Sequence, residues 1–98
     1  MKIKLLSSAI EDLYEGRLFY ESQKEGLGEY FFDSLFSDID SLTLYGGVHA
    51  KIFGYHRMLS KRFPYAIYYR METEPVIIIY RILDMRRNPL RIKHALES

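Results

Sequence analysis

Two adjacent arginines, Arg86 and Arg87, follow an apolar run that stops at Asp84, in the stretch YRILDMRRNP. Pro89 argues against a continuing strand, because proline removes a ladder hydrogen bond. A strand end holds cationic groups rigidly, so this pair is suited to an anionic ligand or partner. The alternative is that the arginines act as gatekeepers, which stop an apolar strand from pairing with another molecule. Both interpretations stay open on these residues alone.

Other side chains able to do chemistry are scattered. His49, His56 and His94 lack the spacing of a metal site, and no carboxylate cluster accompanies them, so no metal site is predicted. The chain has no cysteine, which excludes disulfides and thiolate ligands. The glycine pairs predict turns, since no phosphate-cradling motif follows them. We therefore predict no cofactor.

Charge is distributed unevenly along the 98 residues, although the formal net charge is only +1. Residues 1–48 carry four basic and nine acidic side chains (−5), whereas residues 49–98 carry ten basic and four acidic ones (+6). A basic C-terminal half can attract phosphates or an acidic protein surface. The alternative is that the two halves simply neutralise each other.

The length and composition predict a single domain over residues 1–98. Hydrophobic residues make up 48% of the chain, and neither a repeat nor a linker interrupts it. The apolar run after Met1 is too short for a signal peptide, and no segment is long enough to span a membrane. A cytoplasmic location is expected.

Helical periodicity dominates the first half, after a short strand over residues 2–6. Ser8 and Glu11 predict a capping box at the start of the first helix. Its apolar stripe would consist of Ile10, Leu13, Tyr14 and Leu18. The second helix is predicted over residues 29–45, with a core-facing stripe of Phe31, Leu35, Ile39 and Leu42 that Phe32 and Phe36 widen. Asp33, Asp38 and Asp40 are expected to face water. Glycines in KEGLG would turn the chain between the helices, giving a helical hairpin.

In the second half of the chain, the apolar residues recur with a period of two. Residues 56–63, 65–72 and 76–83 predict three strands, the last two forming an antiparallel hairpin. The expected fold is α+β, in the order β-α-α-β-β-β, with the helical hairpin packed on a small antiparallel sheet. The tail from Leu90 stays unassigned.

Three motifs give the chain a resemblance to a known family. They are A-x-x-D-L (Ala9, Asp12, Leu13), P-Y-x-I-x-Y (Pro64, Tyr65, Ile67, Tyr69) and a basic pair before Asn and Pro (Arg86, Arg87, Asn88, Pro89). In this order they resemble the RelE/ParE superfamily of bacterial toxins, closest to the ParE-like plasmid stabilisation toxins. The resemblance spans essentially the whole chain. It implies the toxin of a type II toxin–antitoxin system, which a cognate antitoxin neutralises.

One branch of the superfamily, similar to RelE, cleaves mRNA on the ribosome. That reaction needs an acid, a base and several fixed cations. RelE-like proteins carry an arginine directly after the tyrosine that opens the third strand, where this chain has Ala66. An endoribonuclease would have to rely on Arg87, Arg62, Lys61 and His94, and the missing arginine weighs against it.

The other branch resembles ParE, which inhibits DNA gyrase by protein contact and needs no catalytic residues. The resemblance then implies a cationic target-binding patch near the C-terminus, made by Arg86, Arg87, Arg91 and Lys93. We favour this branch, and hence a protein that is not an enzyme. A third alternative is an antitoxin-binding homologue with weak or lost toxicity.

An antitoxin partner is also expected because a small sheet covered by one hairpin leaves apolar surface exposed. In the resembling proteins a flexible antitoxin segment lays an amphipathic helix against the toxin. The acidic first half could take the basic part of such a segment. Candidate groove residues are Leu13, Arg17, Phe31 and Leu35.

Overall fold

The computed structural model describes residues 1–73 and 75–97. The elements in chain order are β1 (Lys2–Leu5), α1 (Ser7–Gln23), α2 (Leu27–Tyr45), β2 (Lys51–Ile52), β3 (Tyr55–Leu59), β4 (Tyr65–Met71), β5 (Val76–Asp84) and α3 (Pro89–Glu97). The α+β class and the helical hairpin are as expected. Two elements, β2 and α3, were not predicted. None of the described helices is both long and apolar enough to span a membrane.

The five strands form one sheet in the order β1-β5-β4-β3-β2. Strands β3 to β5 pair antiparallel, as expected, and the unpredicted β2 also pairs antiparallel with β3. Strand β1 instead runs parallel to β5, with Ile3 opposite Ile77, so the sheet is mixed rather than purely antiparallel. A tight hairpin forces antiparallel pairing, whereas the long connection from β1 to β5 lets the chain return in the same direction.

Helix α2 buries the predicted stripe of Phe31, Leu35, Ile39 and Leu42 against the sheet, but Phe36, which was expected to widen it, is 37% exposed. Its aspartates differ from the prediction in one case. Asp38 does not face water, because its carboxylate accepts hydrogen bonds from the Ser60 hydroxyl at 2.7 Å and the Lys61 N–H at 3.4 Å. These bonds tie the β3–β4 connection to the middle of α2.

Helix α1 packs through small and polar residues, so its predicted apolar stripe is wrong. Leu13 is buried, but Ile10, Tyr14 and Leu18 are 41%, 52% and 72% exposed. The face that meets the rest of the protein consists of Ala9, Asp12, Leu13, Gly16 and Tyr20. Hydropathy alone cannot find such a face, because two of its members are small and one is charged.

The predicted capping box of α1 is also wrong. The N-cap position is Leu6, which has no side-chain cap. The Ser8 hydroxyl donates instead to the Tyr80 carbonyl of β5 at 2.8 Å. The start of α1 is thus attached to a strand distant in sequence rather than to its own first turn.

Helix α3 covers part of the sheet face opposite the hairpin. Ile92 and Leu96 join a cluster with Tyr68 and Leu83. Asn88 caps the helix, since its side-chain oxygen accepts from the Leu90 N–H at 2.9 Å, and Pro89 occupies the first helical position. Asparagine followed by proline is a helix-start signal that was present in the sequence.

Candidate interaction site at the end of β5

The end of β5 has one edge that no strand covers, because β1 ends at Leu5, opposite Ile79. Helix α1 closes this edge with Asp12. The carboxylate accepts from the Ile82 N–H at 2.9 Å and from the Arg81 guanidinium at 2.8 and 2.9 Å. All these donors would otherwise be left unpaired, so Asp12 has a structural role in the fold.

Arg81 connects three elements. Besides its two bonds to Asp12 on α1, its Nη1 donates to the Ala95 carbonyl of α3 at 3.1 Å. Its side chain is only 23% exposed. This arginine is therefore committed to the fold and does not present its charge to a partner.

Arg86 pairs with Asp84 two residues earlier. Its Nε and Nη2 donate to the carboxylate at 3.0 and 2.7 Å, and its backbone N–H donates to the same group at 2.9 Å. These bonds hold the pKa of Asp84 below its usual value. The Arg86 side chain is 56% exposed, so a rigidly held cation lies at the surface.

Arg87 lies beside α1, in a cleft of about 230 Å³. The other lining residues are Asp12, Glu15, Gly16, Phe19, Tyr65, Ile82 and Asp84. Burial, and then the nearby Asp84 charge, raise the pKa of Tyr65 to about 12. Tyr65 is therefore neutral at physiological pH and cannot serve as a ready base.

The four predicted target-binding residues do not line one cleft. Arg86 and Arg87 lie at the end of β5, whereas Arg91 and Lys93 are exposed on α3. Lys93 lines a different depression, together with Arg70 and Phe53.

The four residues suggested for a nuclease are likewise not brought to a common cleft. Lys61 and Arg62 are exposed in the β3–β4 connection, and Lys61 lines a groove beside α2. Arg87 lines the cleft beside α1, and His94 is exposed on α3.

Three of the four predicted antitoxin-binding residues lie in the core. Leu13, Phe31 and Leu35 are 0–1% exposed between the hairpin and the sheet, so a partner on this surface cannot touch them. These three apolar side chains were predicted to line a groove, but their helical faces form the core instead. Arg17 is exposed, and its guanidinium lies 5.0 Å from the centre of the Phe32 ring.

An apolar surface on the outside of the hairpin was missed as a candidate. It is defined by Ile10, Tyr14 and Leu18 of α1 and by Phe32 and Phe36 of α2. The ring centres of Tyr14 and Phe32 are 5.6 Å apart, and those of Phe32 and Phe36 are 4.9 Å apart. The sequence signal for this surface was the helical spacing of Ile10, Tyr14 and Leu18. The spacing identified one face of α1 correctly, but we expected that face to be buried in the core.

A helical hairpin on a five-stranded mixed sheet defines a class of small α+β proteins. A solved structure described as the chromosomal ParDE TA system from P. aeruginosa contains a chain with this fold. It superposes with a TM-score of 0.72 at 17% identity, over 88% of this chain and 97% of that chain. The ParE-like fold expected from the resemblance is thus confirmed. No protein-family model and no curated protein matches the sequence.

Proposed function

We propose that the chain is the toxin of a type II toxin–antitoxin pair, of the ParE kind, and that it inhibits DNA gyrase by protein contact. The observation that carries this proposal is the fold shared with a chain of a ParDE toxin–antitoxin system. Gyrase acts on chromosomal DNA, so the proposed site of action is the cytoplasm. A cognate antitoxin would neutralise the protein.

The sheet face that α3 covers supports a protein that acts by contact with its target rather than by catalysis. A RelE-like nuclease would carry an arginine at position 66, but Ala66 is fully buried there, in one cluster with Ile92 and Leu96. The Tyr55 hydroxyl on this face donates to the Leu96 carbonyl at 3.0 Å. A substrate could reach these groups only if α3 moved away.

The cleft beside α1 also fits contact better than phosphate chemistry. Arg87 shares it with Glu15 and with Asp84, whose negative charges oppose the approach of a phosphate. Arg86 is exposed and held in place by Asp84, so it presents a fixed, partly neutralised hydrogen-bond donor to a protein surface. Fixed arginines make stronger and more directional contacts than mobile ones.

An antitoxin has a suitable surface on the outside of the hairpin. The apolar side chains Tyr14, Leu18 and Phe36 are exposed there, within the half of the chain that carries the net negative charge. A basic amphipathic segment would match both properties.

The test is induction of the chain in cells that lack the antitoxin, with DNA synthesis and protein synthesis followed separately by pulse labelling. DNA synthesis is expected to fail first and to induce a DNA-damage response. The variant Arg86→Ala/Arg87→Ala should abolish the effect. Lys2→Ala/Lys4→Ala, which removes the same charge from exposed residues of β1, should leave it intact.

Other results point to the alternatives. If translation fails first, the protein is a ribosome-dependent nuclease and the gyrase proposal is wrong. If neither process fails while the chain still binds its antitoxin, the protein is a homologue that has lost toxicity.

A further inference from the structure

The β2–β3 hairpin carries an aromatic residue where its backbone disfavours one. Phe53 and Gly54 form the two-residue turn, with positive φ angles of 55° and 83°. Turns of this kind usually place asparagine or aspartate at the first position, because other side chains are strained there. Strained residues of this kind cluster at binding sites. Phe53 is 40% exposed.

Arg70 of β4 is fixed beside this turn. Its guanidinium carbon lies 4.0 Å from the centre of the Tyr55 ring and 5.2 Å from that of Tyr80. Its Nε donates to the Gly54 carbonyl at 3.3 Å, which leaves both Nη groups without a hydrogen-bond partner among the described residues. Two aromatic rings and a backbone carbonyl thus hold an exposed cation in one place.

Two depressions adjoin at Arg70. The first, of about 350 Å³, is lined by Phe53, Lys93 and Arg70, and Glu97 is one acidic residue among two basic ones in its lining. The second, of about 250 Å³, is lined by Lys51 and His56, again with Arg70. Arg70 thus lines both depressions, with Lys93 in the first and Lys51 in the second. We call these three cations, together with the neighbouring Phe53 ring, the hairpin track.

We propose that the hairpin track binds single-stranded nucleic acid, with Phe53 stacking on a base while Arg70, Lys93 and Lys51 contact successive phosphates. A row of cations beside an exposed aromatic ring is the combination that such ligands need, since phosphates supply charge and bases supply flat faces. An acidic protein segment would use the cations but would not need the strained ring. The site is separate from Arg86 and Arg87, so the inference does not depend on gyrase being the target.

The test is fluorescence anisotropy of the purified full chain with labelled oligonucleotides of about ten residues. A DNA and an RNA strand of the same sequence are compared, and the tighter one identifies the preferred sugar. The log–log slope of affinity against salt is expected to be about −2, since single strands contribute about −0.7 for each of three phosphate contacts. Arg70→Gln/Lys93→Gln should reduce the slope to about −0.7.

Phe53→Asn separates binding from stability. Asparagine tolerates positive φ, so this variant should be at least as thermally stable as the original chain while binding about five-fold or more weakly. Lys2→Gln/Lys4→Gln is the charge control, because β1 lies at the opposite edge of the sheet. It should bind like the original chain.

Four results would overturn the proposal. The first is no binding to either strand at low salt, and the second is unchanged binding by Phe53→Asn. The third is equal weakening by the charge control, which would indicate a general charge effect. The fourth is equally effective competition by polyglutamate of the same charge, which would indicate an acidic protein as the ligand.

Discussion

Two arginine–carboxylate pairs lie near the end of β5, and they contribute differently to the protein. Arg81 and Asp12 are 69 residues apart, and Asp12 is almost completely buried. Arg86 and Asp84 are two residues apart, with the arginine mostly exposed. The first pair joins α1 to an uncovered strand edge, whereas the second only orients a surface cation. Similar pairs can thus stabilise the fold in one place and only orient a surface cation in another.

The largest effect on stability is expected from removing the carboxylate of Asp12, which pairs with Arg81. Asp12→Ala leaves the Arg81 guanidinium and the Ile82 N–H without their acceptor. The free energy of unfolding should fall by about 3 kcal/mol, as for a broken buried pair. Asp84→Ala, measured alongside by urea denaturation, should cost about 1 kcal/mol or less. Equal losses would mean that the two pairs do not differ as described.

The next effect on stability concerns Gly16, where α1 closely approaches α2 and β4. A Cβ on Gly16 would lie 2.5 Å from the Phe31 Cζ and 3.3 Å from the Tyr65 hydroxyl. Gly16→Ala should therefore destabilise the fold by about 1 to 3 kcal/mol, although alanine favours helices. Thermal unfolding measures this. A stabilised variant would show that Phe31 has room to move and that α1 is not held tightly.

Prediction from sequence succeeded where one face is uniformly apolar. The stripe of α2 and the strand pairs β3–β4 and β4–β5 follow directly from periodicity. It failed on α1, where Asp12 is buried only because Arg81 and Ile82 meet it from 69 and 70 residues away. Pairings between residues so far apart in the sequence leave no signal in the local sequence pattern.

The arrangement of the candidate site residues was predicted only in part, for the same reason. Arg86 and Arg87 were selected from their position after an apolar strand, which is a local feature, and their role in target binding stays a prediction. Their separation from Lys93 follows from α3, and α3 was not predicted even though Asn88 and Pro89 signalled its start. The strain at Phe53 depends on a backbone angle that composition does not reveal.

A smaller effect on stability is expected from the second pair. Arg86→Ala/Arg87→Ala should change the free energy of unfolding by about 1 kcal/mol or less, because exposed ion pairs contribute little. Growth inhibition should nevertheless be lost, if these arginines contact the target. Urea denaturation and growth curves of the same variant measure both. A variant that folds, binds the antitoxin and stays fully toxic would mean that the arginines are only gatekeepers.

The smallest expected effect is a pH dependence of the stability that the Arg86–Asp84 pair contributes. Arg86 lowers the pKa of folded Asp84 below the ordinary 3.8, so the pair stabilises the fold above that pH and the contribution is lost as the pH falls through the folded value. The stability difference between the original chain and Arg86→Ala should therefore be present at pH 7 and shrink below about pH 4. A difference that stays constant down to pH 2 would contradict the pairing.

Whether this chain inhibits DNA gyrase can be measured with purified components. The chain, Arg86→Ala/Arg87→Ala and Lys2→Ala/Lys4→Ala are each added to a DNA gyrase supercoiling reaction. The original chain and the lysine variant should inhibit supercoiling, and the arginine variant should not. Uninhibited supercoiling in the presence of the folded, growth-inhibiting chain would contradict a gyrase target.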